Sequence, residues 1–150
     1  MKKNPLAVAL QALLYLLAAF VLFCLVRIFT SPSVAQFFRE YYGAGEAFAL
    51  FYGFLVIAGL LALWVLFELL LVVQTVATDP FIERNVKAFV RMGVAAEAAG
   101  ALFLAKCFVF FTPMTAVSAV VMLLSGLFAL VLAEVFGKAV AYKRENELTI

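Results

Sequence analysis

The sequence predicts an all-α integral membrane protein, a bundle of four transmembrane helices with both termini cytoplasmic, a short interfacial helix on the outer side and an amphipathic helix in the cytoplasmic loop. Three observations lead there. Hydrophobic residues make up 68% of the 150 and charged residues 13%, with a mean hydropathy of +1.17, whereas a soluble domain runs near half apolar and about a quarter charged. The apolar residues fall into long runs with few or no charges, and about 20 helical residues cross a ~30 Å hydrocarbon core. The basic residues are gathered into a few short stretches, although the formal net charge is only +2. Lipid accepts apolar side chains facing outward as well as inward, so this composition excludes disorder and excludes binding nucleic acid through a basic surface.

The first span occupies residues 5–28, preceded by Lys2 and Lys3. The second, residues 48–77, carries only Glu68 and is long enough to tilt or protrude. From Met92 to about Gly137 the chain stays apolar, and Thr112-Pro113-Met114-Thr115 has the turn chemistry of a tight connection. Spans at 92–111 and 116–137 follow. Reading Cys107 to Ala133 as one span would give three crossings, and charge decides against it. With four spans, Lys2, Lys3, Arg84, Lys87, Arg91, Lys138, Lys143 and Arg144 share one side, eight of the eleven basic residues. The positive-inside rule makes that side cytoplasmic. A cleaved leader ending near Ser33-Val34-Ala35 is the competing reading of span one, but the apolar stretch exceeds the usual 7–15-residue leader core. The whole chain, 1–150, is then one transmembrane domain with a tail at 138–150.

The connections carry their own signals. Pro32 suits a helix start, and Ser33 with Gln36 has capping-box spacing, predicting an outer helix over 33–42 that stops at Gly43 and Gly45. Its Phe37, Phe38, Tyr41 and Tyr42 are placed for an interfacial anchor. In the cytoplasmic loop, Asp79 is the expected N-cap and Pro80 the first helical residue of an amphipathic helix over 80–91. Ile82, Val86, Phe89 and Val90 form its apolar side, and Glu83, Arg84, Lys87 and Arg91 the other. This helix touches headgroups or docks a partner. The apolar Leu148-Thr149-Ile150 ending of a charged tail points to a packed terminus.

Charged groups at membrane depth mark paired structural contacts, relays or pathways. At 1.5 Å per residue, Glu68 lies roughly 15 Å from the inner end of span two, Glu97 about 9 Å inside span three and Glu134 about 6 Å from Lys138. With Gln11 and Gln74 these predict a polar cluster toward the cytoplasmic side. Glu134 has Lys138 at i+4. Glu97 sits among Gly93, Ala96, Gly100 and Ala101, a face that permits close helix approach within the chain or in a homodimer. Glu68 has no basic residue near it in its own span, so it finds Gln11, another helix, water or a proton. Glu68 and Glu97 are read either as an interhelical clasp or as a proton-carrying pair. Lys106 and Arg27 are placed to snorkel to headgroups. Cys24 and Cys107 fall near the outer ends of their spans, where a disulfide is conceivable but small-hydrophobe behaviour is the ordinary role. There is no His, no C-x-x-C and no glycine-rich phosphate cradle, so neither an enzyme nor a cofactor is expected.

Asp79-Pro80-Phe81 with Asn85 and Gly93, Leu132-Ala133-Glu134-Val135-Phe136, and the closing Glu145-Asn146-Glu147-Leu148-Thr149-Ile150 are similar to the bacterial membrane family named domain of unknown function 2975. The resemblance runs from about Leu70 to the C-terminus, and the first half agrees in hydrophobicity only. The tail departs from the pattern in having Lys138-Ala139-Val140 where a glycine is usual. The resemblance implies a small four-span protein of the bacterial cytoplasmic membrane whose gene often neighbours a helix-turn-helix regulator of the Cro/CI type. The leading expectation is a regulatory or scaffold protein that holds such a partner through Asp79, Pro80, Phe81, Arg84, Asn85, Lys87 and the tail residues Glu145 to Ile150. The alternative is a small proton-linked transporter or channel using Glu68 and Glu97.

Overall fold

A computed structural model describes residues 5–43, 45–76 and 79–148 of the chain, with the side chains of Val76 and Leu148 left aside. Lys2, Lys3, Thr149 and Ile150 lie outside the described residues. Five helices account for nearly all of it: α1 (Pro5–Thr30), α2 (Pro32–Tyr42), α3 (Glu46–Val76), α4 (Glu83–Val109) and α5 (Pro113–Leu148). Among the described residues there is no strand. Four helices are long and apolar enough to cross a membrane, and at 1.5 Å per residue α1, α3, α4 and α5 measure about 39, 46, 40 and 54 Å against a core of ~30 Å. This is the architecture of a multi-pass membrane protein.

Each break has a local cause. Ser31 precedes a proline and is extended (φ −100°, ψ 110°), as the ring clash with the preceding residue demands. It caps α2 by position only: no side-chain hydrogen bond forms, and Gln36 instead donates to Glu40 Oε1 at 3.0 Å, so the expected capping box is absent. Gly43 (φ +82°) and Gly45 (φ +97°) turn the chain through conformations open to glycine and back into α3. Phe110 ends α4, its amide bonded to the Lys106 carbonyl at 2.7 Å, and the Thr112 hydroxyl accepts the Thr115 amide at 3.2 Å to open α5.

The four long helices form an open row, in the order α1, α3, α4, α5, rather than a closed ring. Among the described residues helix α1 touches helices α2 and α3, and α5 touches no helix but α4. The expected bundle is therefore correct in helix number and class, while its two end helices do not meet. Only Leu14 of α1 is buried, against Leu70 and Val73 of α3. Val72 on another side of α3 packs with Ala88 and Met92 of α4. Large apolar side chains such as Leu16, Phe20, Phe108 and Phe128 face outward, which in lipid carries no hydrophobic penalty.

The α4/α5 pair is the closest. A Cβ on Gly93 would lie 2.7 Å from Leu130 Cγ and 3.1 Å from the Gly126 carbonyl oxygen, and one on Gly100 would lie 2.6 Å from Leu123 Cδ2. Small residues here let the backbones approach. Two sequence expectations are corrected. The amphipathic helix does not start at Asp79-Pro80: Ile82 is the N-cap, and residues 83–91 are the first turns of α4 itself. Nor is the tail separate, because α5 runs unbroken through Lys138 to Leu148. Cys24 and Cys107 are free thiols on helices that do not touch.

Candidate functional site

The expected intramembrane cluster is dispersed, because a row of helices offers several interfaces and no shared centre. Glu68 lies between α3 and α4, with its side chain 5% exposed. Arg91 Nε donates to Glu68 Oε1 at 2.5 Å and Arg91 Nη2 to Oε2 at 2.7 Å, while Trp64 Nε1 donates to Oε1 at 3.3 Å. The carboxylate is thus held by a bidentate guanidinium from the neighbouring helix, the geometry in which arginine binds carboxylate best. Arg91 was legible in the sequence as a topology-setting charge on the polar side of the amphipathic stretch. Its pairing needed the register of α4 on α3.

Glu97 points the other way, into the α4/α5 seam. A Cβ on Gly126 would lie 2.6 Å from Glu97 Oε1, so the carboxylate fills the notch that this glycine leaves. Its Oε1 is buried without a hydrogen-bond partner. Glu134 is exposed and bonded to Lys138 at 2.7 Å, the i,i+4 pair expected from the spacing. Gln11 is half-buried on α1, Gln74 is exposed on α3, and neither joins a carboxylate among the described residues. Glu68 and Glu97 are therefore not a pair.

On the side where α3 ends and α4 begins, the residues come together more tightly. Asn85 is 1% exposed. Its Nδ2 donates to the Pro80 carbonyl at 2.8 Å, and its Oδ1 accepts from Thr75 Oγ1 at 2.8 Å. That side chain ties the end of α3 to the start of α4, so it is a loop organiser and is not exposed to a partner. Asp79 accepts the Phe81 amide at 3.1 Å and an ammonium N–H from Lys143 of α5. The Lys143 hydrogen bond, with the Phe81 amide and the lysine's charge, outweighs desolvation and holds the Asp79 carboxyl below its ordinary range.

Farther along, Arg144 Nη1 bonds Glu83 Oε1 at 3.3 Å, and Phe136 packs against Phe81 and Phe89 with centroids 5.5 and 5.0 Å apart. These contacts fix the end of α5 beside the start of α4. Between the two helices runs a groove of about 400 Å³ with Val86, Val140 and Ala141 on its floor and Lys87, Arg144 and Glu145 on its rim. Lys87 and Glu145 of its lining are exposed, as are Arg84 and Asn146, while the exposed Phe81 and Glu147 line a neighbouring hollow. Pro80 is half-buried, its carbonyl engaged by Asn85. Among the described residues no three His, Cys, Asp or Glu side chains converge as a metal site. The surface offers charges of both signs beside an apolar floor.

Comparison with known proteins adds one positive result. No curated protein and no solved structure matches the chain. The family match is broader than the motifs after Leu70 suggested, because it also takes in the first half, where only hydrophobicity was legible. With residues 2–150 matched, from the first span to the end of the tail, the chain belongs to the family described as protein of unknown function (DUF2975).

Proposed function

We propose that this protein is a membrane-anchored regulatory or scaffold protein that binds a soluble partner at the tail end of the α4/α5 pair. The observation that carries the reading is the fixed projection of α5. Its 36 residues exceed the length needed to cross the bilayer by about 24 Å, and the excess is tied to the α3/α4 loop by Lys143–Asp79 and Phe136–Phe81 and to the first residue of α4 by Arg144–Glu83. A helix end that served only to terminate a span would fray. The positive-inside rule supports a cytoplasmic position for this end, and the family resemblance, which implies a bacterial inner membrane, makes a helix-turn-helix regulator the first partner to test. The protein is not an enzyme on this reading.

The test is purification of N-terminally tagged chain from native membranes in mild detergent, with co-purifying proteins identified. A stoichiometric regulator that is lost on deleting 145–150 and on Ala141→Arg, which charges the groove floor, supports the proposal. A chain that comes down alone, or a partner indifferent to both changes, overturns it. Proton-linked transport is the second reading, favoured by the orphan Glu97 Oε1 in the helix seam. It requires that Glu97→Gln abolish flux in proteoliposomes, and it acts without Glu68, which Arg91 holds.

A further inference from the structure

At the opposite side of the molecule, where α2 lies, the structure assigns a binding site for one phospholipid, with its phosphate on Lys106 and an acyl chain along α3. Lys106 stands three residues before the end of α4, about 4–5 Å along the axis and so near the boundary between hydrocarbon and headgroups. Its Nζ lies 5.1 Å from the Phe54 ring centroid, 5.4 Å from Phe51 and 5.9 Å from Tyr42. Helix α2 closes this cage from above: Tyr42 stacks on Phe51 at 3.9 Å and meets Phe110 edge-on at 4.8 Å. Ring faces attract an ammonium but do not neutralise it.

The ammonium has three donors, and one goes to Thr115 Oγ1 at 3.1 Å. No carboxylate among the described residues reaches Lys106 within ion-pair distance; Glu40, on the same side, accepts a hydrogen bond from Gln36. A cation at this depth without a counter-ion is costly, and the chemistry that completes it is an anion arriving from the membrane. Beside it is a cavity of about 240 Å³ lined mainly by apolar side chains. Leu50, Phe54 and Leu102 continue its wall into a shallow groove of about 580 Å³ that follows α3 past Gly53 to Ile57. From Glu46 to Ile57 this wall descends roughly 16 Å toward the bilayer centre. Gly53 leaves the groove open, since a Cβ there would meet nothing within 4 Å.

A charged head site joined to an apolar channel running down the membrane normal fits an amphiphile, and a phosphodiester matches the donors left on Lys106. Glu46 on the groove rim sets a limit: it disfavours a headgroup carrying further negative charge and tolerates an ammonium.

The experiment is native mass spectrometry of the full, delipidated chain offered phosphatidylglycerol or diacylglycerol with the same acyl chains. The expected result is a single phosphatidylglycerol adduct retained about tenfold more than diacylglycerol, a ratio in keeping with one charge-assisted contact. Lys106→Gln and Gly53→Phe each remove it, and Arg27→Gln leaves it unchanged. Gly53→Phe fills open space, so it tests the groove without disturbing the cage. Equal retention by Lys106→Gln or by Gly53→Phe overturns the site, as does equal retention of diacylglycerol. Displacement of the lipid by soluble glycerophosphate at equal concentration also overturns it, because the head site would then be a site for free phosphate.

Discussion

Replacing Arg91 by Ala leaves Glu68 between α3 and α4 with the Trp64 indole as its remaining hydrogen-bond donor. Removing one partner of a fully buried ion pair costs about 3–5 kcal/mol, because the other charge stays desolvated and alone. Here the carboxylate side chain is 5% exposed and the guanidinium 41%, so partial screening of Arg91 places the loss near the lower limit, about 3 kcal/mol. Glu68→Gln keeps an acceptor for Arg91 and costs less, about 1–2 kcal/mol. If the two act through each other, the double variant Glu68→Gln/Arg91→Ala is destabilised by about 2 kcal/mol rather than the ~4–5 of the summed singles. The assay is reversible unfolding in mixed micelles or bicelles for the four members of the cycle. A coupling energy within about 0.5 kcal/mol of zero would refute the clasp.

Other expectations follow from the same contacts. Gly93→Ala pushes a methyl into Leu130 and toward the Gly126 carbonyl. Overpacking of about 1–3 kcal/mol then outweighs a helix-propensity gain of about 1, so the unfolding midpoint falls; a rise would mean the seam is not closely packed. Asn85→Ala breaks the ties to Pro80 and Thr75 and costs about 2 kcal/mol, with faster chymotryptic cleavage at Phe81 as its local sign, and unchanged cleavage as the contrary result. The Asp79–Lys143 contact has a definite pH sense. Because the folded-state carboxyl is held below its ordinary value, its stabilisation is present above the ordinary aspartate range and is lost as pH falls through the lowered value. Spin labels at Lys87 and Asn146 should keep their separation at neutral pH and move apart only in strong acid. Asp79→Asn should show no acid step, and an unaltered step in that variant would assign it to another group.

Much was legible because the bilayer imposes simple demands on sequence. Four apolar runs of spanning length, prolines at 32 and 113, and glycines at 43 and 45 correspond to the helices and breaks that form. The Glu134–Lys138 pair followed from i,i+4 spacing alone. The polar residues were a harder matter. Their depths followed from counting, but depth does not say which neighbour a side chain faces, and in an open row each helix face meets a different partner. Glu68 and Glu97, grouped by depth, turn to α4 and α5 respectively. Asn85, expected among the partner-holding residues, is buried because its amide matches a carbonyl and a hydroxyl brought close by the loop.

The sequence by itself determined class, span number and the distribution of charge between the two sides, since hydrophobic transfer and backbone hydrogen bonding depend on local composition. Tertiary structure alone decided which charges neutralise each other, how the end of α5 is tied to the α3/α4 loop and, among the described residues, where a cation is left without an anion. Those outcomes depend on helix order and rotation, to which lipid is indifferent, and small residues and polar contacts set them.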